Sequence, residues 1–208
     1  MSQIAESKKV GIMGGTFDPI HNGHLALGEE AYRQFSLDEV VFMPTGIPPH
    51  KAGKKIADAG DRNYMVEAAV AATPYFSCSD MELRRHRTTY TAETLTQLRA
   101  ENPETEYYYI VGADSLEQMD GWYHPEIIFQ NAVILAAMRQ TQTAEEFSNA
   151  KEMLENKYGA SIYLLKGPIM PVSSSQIRAY IRDGVSAEAY LPRPVWEYIK
   201  EKKLYCCP

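Results

Sequence analysis

Cysteine is scarce in this chain: Cys78, Cys206 and Cys207 are the three among 208 residues. They are odd in number and widely split, which fits neither a disulfide framework nor a metal-ligand spacing, so a disulfide-stapled fold is excluded and a reducing cytoplasm is the expected compartment. Long hydrophobic runs are missing as well. The longest, Ala132 to Met138, falls far short of the roughly 20 apolar residues that cross a bilayer, so no membrane association is expected. Met1 to Lys9 is polar and charged, without the apolar stretch of a signal peptide. Positive charge is also in short supply, with 21 Lys and Arg against 27 Asp and Glu and a formal net charge of −6. General nucleic-acid binding, which needs a basic face, is therefore excluded. An anionic small molecule stays open, provided that cations gather locally. Internal repeats, low-complexity tracts and linkers are absent too, so residues 1–208 are expected to form one domain.

What is present is enough to bury a core, since 45% of the residues are apolar. Short β-type runs alternate with helical stretches from end to end, the pattern of an α/β fold with helices on both faces of an open parallel sheet, Rossmann-like in layout. Strands are expected over residues 8–13, 40–43, 75–77, 107–111, 133–136 and 161–165. Leu25, Gly28, Tyr32 and Phe35 recur at helical spacing, which predicts a helix over 22–34 with one face on the sheet. Asp61 and Thr91 read as N-caps of the next two helices, ending near Ala72 and Ala100. Later helices are expected over 145–158, around Ile177, Tyr180 and Ile181, and around Val195, Trp196 and Ile199. The Pro-, Gly- and Lys-rich stretch from Pro44 to Gly60 reads either as a surface connection or as a mobile loop carrying His50 and Lys51 towards an anion.

The chemistry concentrates in Gly14-Gly15-Thr16-Phe17-Asp18-Pro19-Ile20-His21-Asn22-Gly23-His24, between the first strand and the first long helix. In open α/β sheets ligands bind outside the carboxyl ends of the strands, where helix N-termini offer free backbone N–H groups to anions. Adjacent glycines let a phosphate approach the backbone closely. His21 and His24, three residues apart, can share a helix face. A dinucleotide fingerprint and a Gly-x4-Gly-Lys-Ser/Thr loop are both missing, and a zinc site would need a third ligand that stands at no recognisable spacing. An isolated His pair of this kind would more often be structural. Here strand, glycines, helix start and imidazoles coincide. Asp18 reads as the organiser of the turn before Pro19, in the manner of an Asx-turn.

This segment resembles the nucleotidyltransferase superfamily marked by His-x-Gly-His, and within it the bacterial nicotinate mononucleotide adenylyltransferases, a likeness that covers essentially the whole chain. The opening Gly-Gly-Thr-Phe-Asp-Pro followed by His-x-Gly-His is intact from Gly14 to His24. The second nucleotide motif of that family, usually Ile-Ser-Ser-Thr-x-Ile-Arg, stands here as Val172-Ser173-Ser174-Ser175-Gln176-Ile177-Arg178. Pro48-Pro49-His50-Lys51 resembles its phosphate-reaching loop. Thr89-Tyr90-Thr91 matches a segment more often written Ser-Tyr-Thr. Gly112-Ala113-Asp114 resembles its ribose-binding turn, and Trp122-Tyr123 its pyridine-binding pair.

The resemblance implies transfer of AMP from ATP to nicotinate mononucleotide, giving deamido-NAD and pyrophosphate by direct in-line attack without a covalent intermediate. The attacking phosphate is already an anion, so alignment and charge stabilisation replace a general base. His21, His24 and Arg178 are the implied catalytic groups. ATP would meet Gly14, Gly15, Thr16 and Phe17 through backbone donors, Asp114 through its ribose, and Ser173, Ser174, Ser175 and Ile177 at a second helix start. His50, Lys51, Thr89, Trp122 and Tyr123 would meet nicotinate mononucleotide, and Lys51 and Arg139 are candidate auxiliary cations. Plainer readings stand beside these: a serine N-cap with a solvated arginine, a helix-capping Asp114, aromatics packed beneath a loop. Mg2+ would bind mainly through ATP phosphates, with no metal ligands assigned to the chain. A phosphopantetheine-type transferase shares the first motif without needing the Trp-Tyr pair, and a nucleotide sensor could keep the fold without turnover. A homo-oligomer stays open, since the sequence does not fix the oligomeric state.

Overall fold

The computed structural model describes residues 7–46, 56–138, 143–167 and 172–206. Strands β1 (Lys9–Gly15), β2 (Glu39–Pro44), β3 (Phe76–Cys78), β4 (Glu106–Gly112), β5 (Val133–Ala137) and β6 (Ile162–Leu165) form where short apolar runs were expected, with ends shifted by at most two residues. They make one parallel sheet in the order β3-β2-β1-β4-β5-β6. The order turns back between β1 and β4, the place where open α/β sheets form a crevice at their carboxyl edge. Gly14 and Gly15 belong to β1 itself and pair with Met43 and Pro44, so the strand runs two residues further into the motif than its apolar pattern suggests.

Both sheet faces are covered, as an all-parallel sheet requires. Along β1 and β4 the side chains alternate: Met13, Tyr108 and Ile110 enter one core, while Ile12, Tyr107, Tyr109 and Val111 enter the other. Helices α1 (Asn22–Phe35), α2 (Ala59–Val70), α7 (Ser174–Arg182) and α8 (Arg193–Lys202) pack on the first face through residues such as Ala31, Val66, Ile177 and Val195. Helices α3 (Thr91–Glu101), α4 (Ala113–Gln118), α5 (Pro125–Asn131) and α6 (Ala144–Tyr158) cover the second through Leu95, Leu116, Ile128 and Leu154. The expected α1 stripe is present, with Leu25, Tyr32 and Phe35 packed on the core. At Gly28 a Cβ would stand 2.8 Å from the Phe42 ring, so the missing side chain is what lets helix and sheet meet. Among the described residues no helix is long and apolar enough to cross a membrane.

Two helix starts differ from expectation. α2 has Asp58 and not Asp61 at its N-cap position, with no cap hydrogen bond from the side chain, and the start is tied instead by the buried Arg62, which donates to the Ala57 carbonyl. α3 has Tyr90 at its N-cap position, without a side-chain cap hydrogen bond, and begins with Thr91, whose hydroxyl is 3.2 Å from that of Tyr109. The short helices α4 and α5 were not anticipated, being too brief to show a periodic stripe.

Candidate active site

The β1–α1 turn is shaped by its side chains. Phe17 adopts the left-handed region (φ 47°), which costs a bulky residue about 1 kcal/mol, and its ring is 3% exposed, against Phe42 and edge-on to His24 at 5.1 Å. At Gly15 a Cβ would meet that ring at 3.1 Å, and at Gly14 it would meet the Tyr109 hydroxyl at 2.8 Å. The backbone here is therefore bare because neighbouring rings press on it. Next comes the Asp18–Pro19 peptide, which is cis, and then His21 as N-cap of α1.

His21 is buried and His24 half-buried, with their rings stacked at 3.7 Å. The His21 N–H donates to Nδ1 of His24 at 3.2 Å. That bond uses His24 Nδ1 as acceptor and leaves Nε2 to carry the donor proton. Gly23 makes the stack fit: a Cβ there would stand 3.0 Å from His21 Nδ1.

The second motif folds back onto this turn. Val172 is the next neighbour of the missing Gly23 Cβ, at 3.6 Å, and Ser174 Oγ donates to the Pro19 carbonyl at 2.9 Å. Arg178 Nη1 donates to the Asp18 carbonyl at 2.6 Å and lies 3.5 Å from Oδ2 of the Asp18 carboxylate. Thus the N-termini of α1 and α7, about 150 residues apart in sequence, share one turn. Ser173 caps α7, accepting from the Gln176 N–H while Gln176 Oε1 accepts from the Ser173 N–H. Ser175 Oγ accepts weakly from Arg178 at 3.4 Å. Ser173 and Ser174 donate their hydroxyl protons within the protein, to Gln176 Oε1 and the Pro19 carbonyl, whereas Ser175 only accepts, so first-turn backbone N–H donors, the Ser175 hydroxyl and the part-exposed Arg178 guanidinium can face an anion.

Asp18 does more than organise its own turn. It is 3% exposed, and its Oδ1 accepts from the Ala57 N–H at 3.2 Å and the Tyr205 hydroxyl at 2.8 Å. Arg62, equally buried, donates to the carbonyls of Thr16, Thr45, Gly46 and Ala57. Burial holds the Arg62 guanidinium below its ordinary pKa, and the Asp18 charge opposes the shift.

Across the switch point, Gly112 caps α4 and places Asp114, half-buried, in that helix's first turn at the end of β4. Trp122 is half-buried, packed on the core and edge-on to Tyr109 at 6.3 Å, so packing accounts for part of it. Tyr123 is 50% exposed and its ring lies 4.4 Å from that of Tyr90. That contact joins the Thr89–Thr91 segment to the Trp122–Tyr123 pair. Thr89 is buried, and its hydroxyl donates to Glu82 Oε2 at 2.9 Å while Thr94 donates to Oε1 at 2.8 Å. A ligand would reach Thr89 through its backbone. Burial pushes the Glu82 carboxyl above its ordinary range, with the Thr94 and Thr89 hydroxyls opposing. His50, Lys51, Arg139 and Cys207 lie outside the described residues.

Residues 12–180 match the family model described as cytidylyltransferase-like. A protein of Lachnoclostridium phytofermentans named "Probable nicotinate-nucleotide adenylyltransferase" is 42% identical over 95% of this chain and 99% of its own length. One of Dehalococcoides mccartyi with the same name is 42% identical over 96% of this chain and 98% of its own. The chain belongs to the nicotinate-nucleotide adenylyltransferase family. Its fold is also that of Plasmodium falciparum nicotinic acid mononucleotide adenylyltransferase complexed with NaAD, with a TM-score of 0.78 at 18% identity over 95% of this chain and 97% of the other.

Within this adenylyltransferase fold, sequence reasoning missed three groups. Arg62 and Tyr205 carry no local motif, and their roles arise from contacts across the fold. The third is a groove of about 360 Å3, part of it open to solvent, between Ala26 and Leu27 of α1 and Ala137, Leu165 and Gly167 at the ends of β5 and β6. Ala137 at the end of β5 and Gly167 just past the end of β6 were the available signal.

Proposed function

We propose that the chain transfers AMP from ATP to nicotinate mononucleotide, releasing pyrophosphate and forming deamido-NAD. The observation that carries this reading is the meeting of two helix N-termini, α1 with its stacked imidazoles and α7 with Arg178, on the single turn from Asp18 to Gly23. A triphosphate laid along that turn meets N–H donors from β1 and both helices, which favour anions. His24, with its proton on Nε2, donates to the phosphate under attack, and His21 shares the charge that spreads as pyrophosphate leaves. Arg178 reaches the outer phosphates with a planar fork.

Adenine enters the groove between α1 and the ends of β5 and β6, whose lining is mainly apolar. Asp114 accepts the ribose hydroxyls. Nicotinate mononucleotide lies on the Thr89, Trp122 and Tyr123 side, with His50 and Lys51 reaching its phosphate. A pocket of N–H donors suits the pyridine carboxylate and meets the NH2 of the amide analogue with further donors, so the nicotinamide substrate turns over far more slowly. Among the described residues no group of three or more His, Cys, Asp or Glu could hold a metal ion. Imidazoles and N–H groups suit phosphate oxygens and not a hard cation. Magnesium therefore fits as part of the ATP complex, where it neutralises phosphate charge. The reaction belongs to a reducing cytoplasm.

The test is pyrophosphate release from ATP with nicotinate mononucleotide, nicotinamide mononucleotide or phosphopantetheine as acceptor. Turnover is expected with the first. Because removing one such donor costs about 10²-fold or more, the double variant His21→Ala/His24→Ala should lose at least that factor in kcat while staying folded. Undiminished synthesis by that variant would refute the reading.

A further inference from the structure

Four acceptor positions of the Asp18 carboxylate are divided among different parts of the chain. Oδ1 is saturated, taking the Ala57 N–H at 3.2 Å and the Tyr205 hydroxyl at 2.8 Å. Oδ2 faces Arg178 Nη1 at 3.5 Å, and the same nitrogen donates to the Asp18 carbonyl at 2.6 Å. Arg62, the other cation near this carboxylate, spends its donors on four backbone carbonyls. Tyr205 follows the end of α8, adopts φ 65°, and packs against the core beside this cluster. Burial, reinforced by Asp18, pushes its phenol pKa upward, so the hydroxyl stays a proton donor.

We propose that Tyr205 is a positioning residue for the Arg178 phosphate clamp, acting through Asp18. By filling Oδ1, the phenol keeps the carboxylate from turning both oxygens onto the guanidinium in a bidentate pair, the strongest arrangement available to these groups. Arg178 is thereby held by the Asp18 carbonyl, one distant carboxylate oxygen and a long contact from Nη2 to Ser175 Oγ, and keeps its remaining donors for ATP. Without the hydroxyl, Asp18 competes with the phosphates for Arg178. The inference rests on Arg178 contacting ATP, as given under the proposed function.

Tyr205→Phe removes the hydroxyl alone. It should raise KM for ATP about five-fold, the worth of one hydrogen bond, with kcat and KM for nicotinate mononucleotide nearly unchanged. Tyr198→Phe is the matched control: it deletes a hydroxyl from the same region that donates to Asp61 at 2.8 Å, so it should lower Tm comparably and leave KM for ATP where it was. In an Arg178→Ala background, which alone raises KM for ATP, Tyr205→Phe should add nothing. An unchanged KM in Tyr205→Phe, an equal rise in Tyr198→Phe, or an additive effect beside Arg178→Ala overturns the coupling and leaves the phosphate clamp standing. If Arg178→Ala itself leaves KM for ATP unchanged, the clamp fails and the proposal falls with it.

Discussion

Gly23 separates two properties that usually move together. It sits in the first turn of α1, where alanine is the better helix former by about 1 kcal/mol, and its φ is not among the positive ones. Nothing about the backbone demands glycine there. The demand comes from the imidazole of His21, 3.0 Å from where a Cβ would be. Gly23→Ala should therefore keep or raise Tm while displacing His21 by a few tenths of an ångström and lowering kcat about ten-fold, since small misplacements are costly in catalysis. Thermal melting and steady-state kinetics on one sample check both halves. Loss of Tm in parallel with kcat would mean that the glycine serves the helix and not the ring.

Helices α1 and α7 each begin with a side chain and a backbone N–H answering one another across three residues, as His21 with His24 and Ser173 with Gln176. For α7 this capping box was present in the sequence as Ser-x-x-Gln, and it makes Ser173 a structural serine before it is a ligand-binding one. Ser173→Ala should cost about 1 kcal/mol in urea unfolding, the usual worth of an N-cap, with KM for ATP changed far less than by Arg178→Ala. A large KM effect without loss of stability would return the hydroxyl to the phosphates. The start of α2 was not legible because a tertiary anchor sets it: Arg62 lies four residues beyond Asp58, and its acceptors include carbonyls at the ends of β1 and β2. The start of α3 shifted likewise, because Thr91 uses its hydroxyl towards Tyr109 of β4.

Across the whole molecule, a chain of net charge −6 gathers donors at the Asp18–Gly23 turn, as the proposed phosphate site requires, without being basic. Arg62 shows how strongly that gathering is anchored. Replacing it with methionine keeps bulk but strands four carbonyls in a buried place, and unsatisfied buried groups cost about 1–3 kcal/mol each. Arg62→Met should lose about 3 kcal/mol or more in denaturant titration and weaken both substrates together, since the Thr16 and Gly46 turns are held by one guanidinium. A variant as stable as the parent would show that these carbonyls find water instead.

The succession of strands and long helices along the chain, and the two motifs that follow β1 and open α7, were legible in the sequence alone, because apolar period and local capping act within a few residues of one another; that Gly14 and Gly15 extend β1 was not. The tertiary structure decided that the two motifs share a turn, that Asp18 answers to Arg178 and Tyr205, and that the ends of β5 and β6 open beside α1. Those relations join residues more than a hundred positions apart, and a linear pattern carries no distance between them until parallel strands and right-handed crossovers bring their ends to one edge of the sheet.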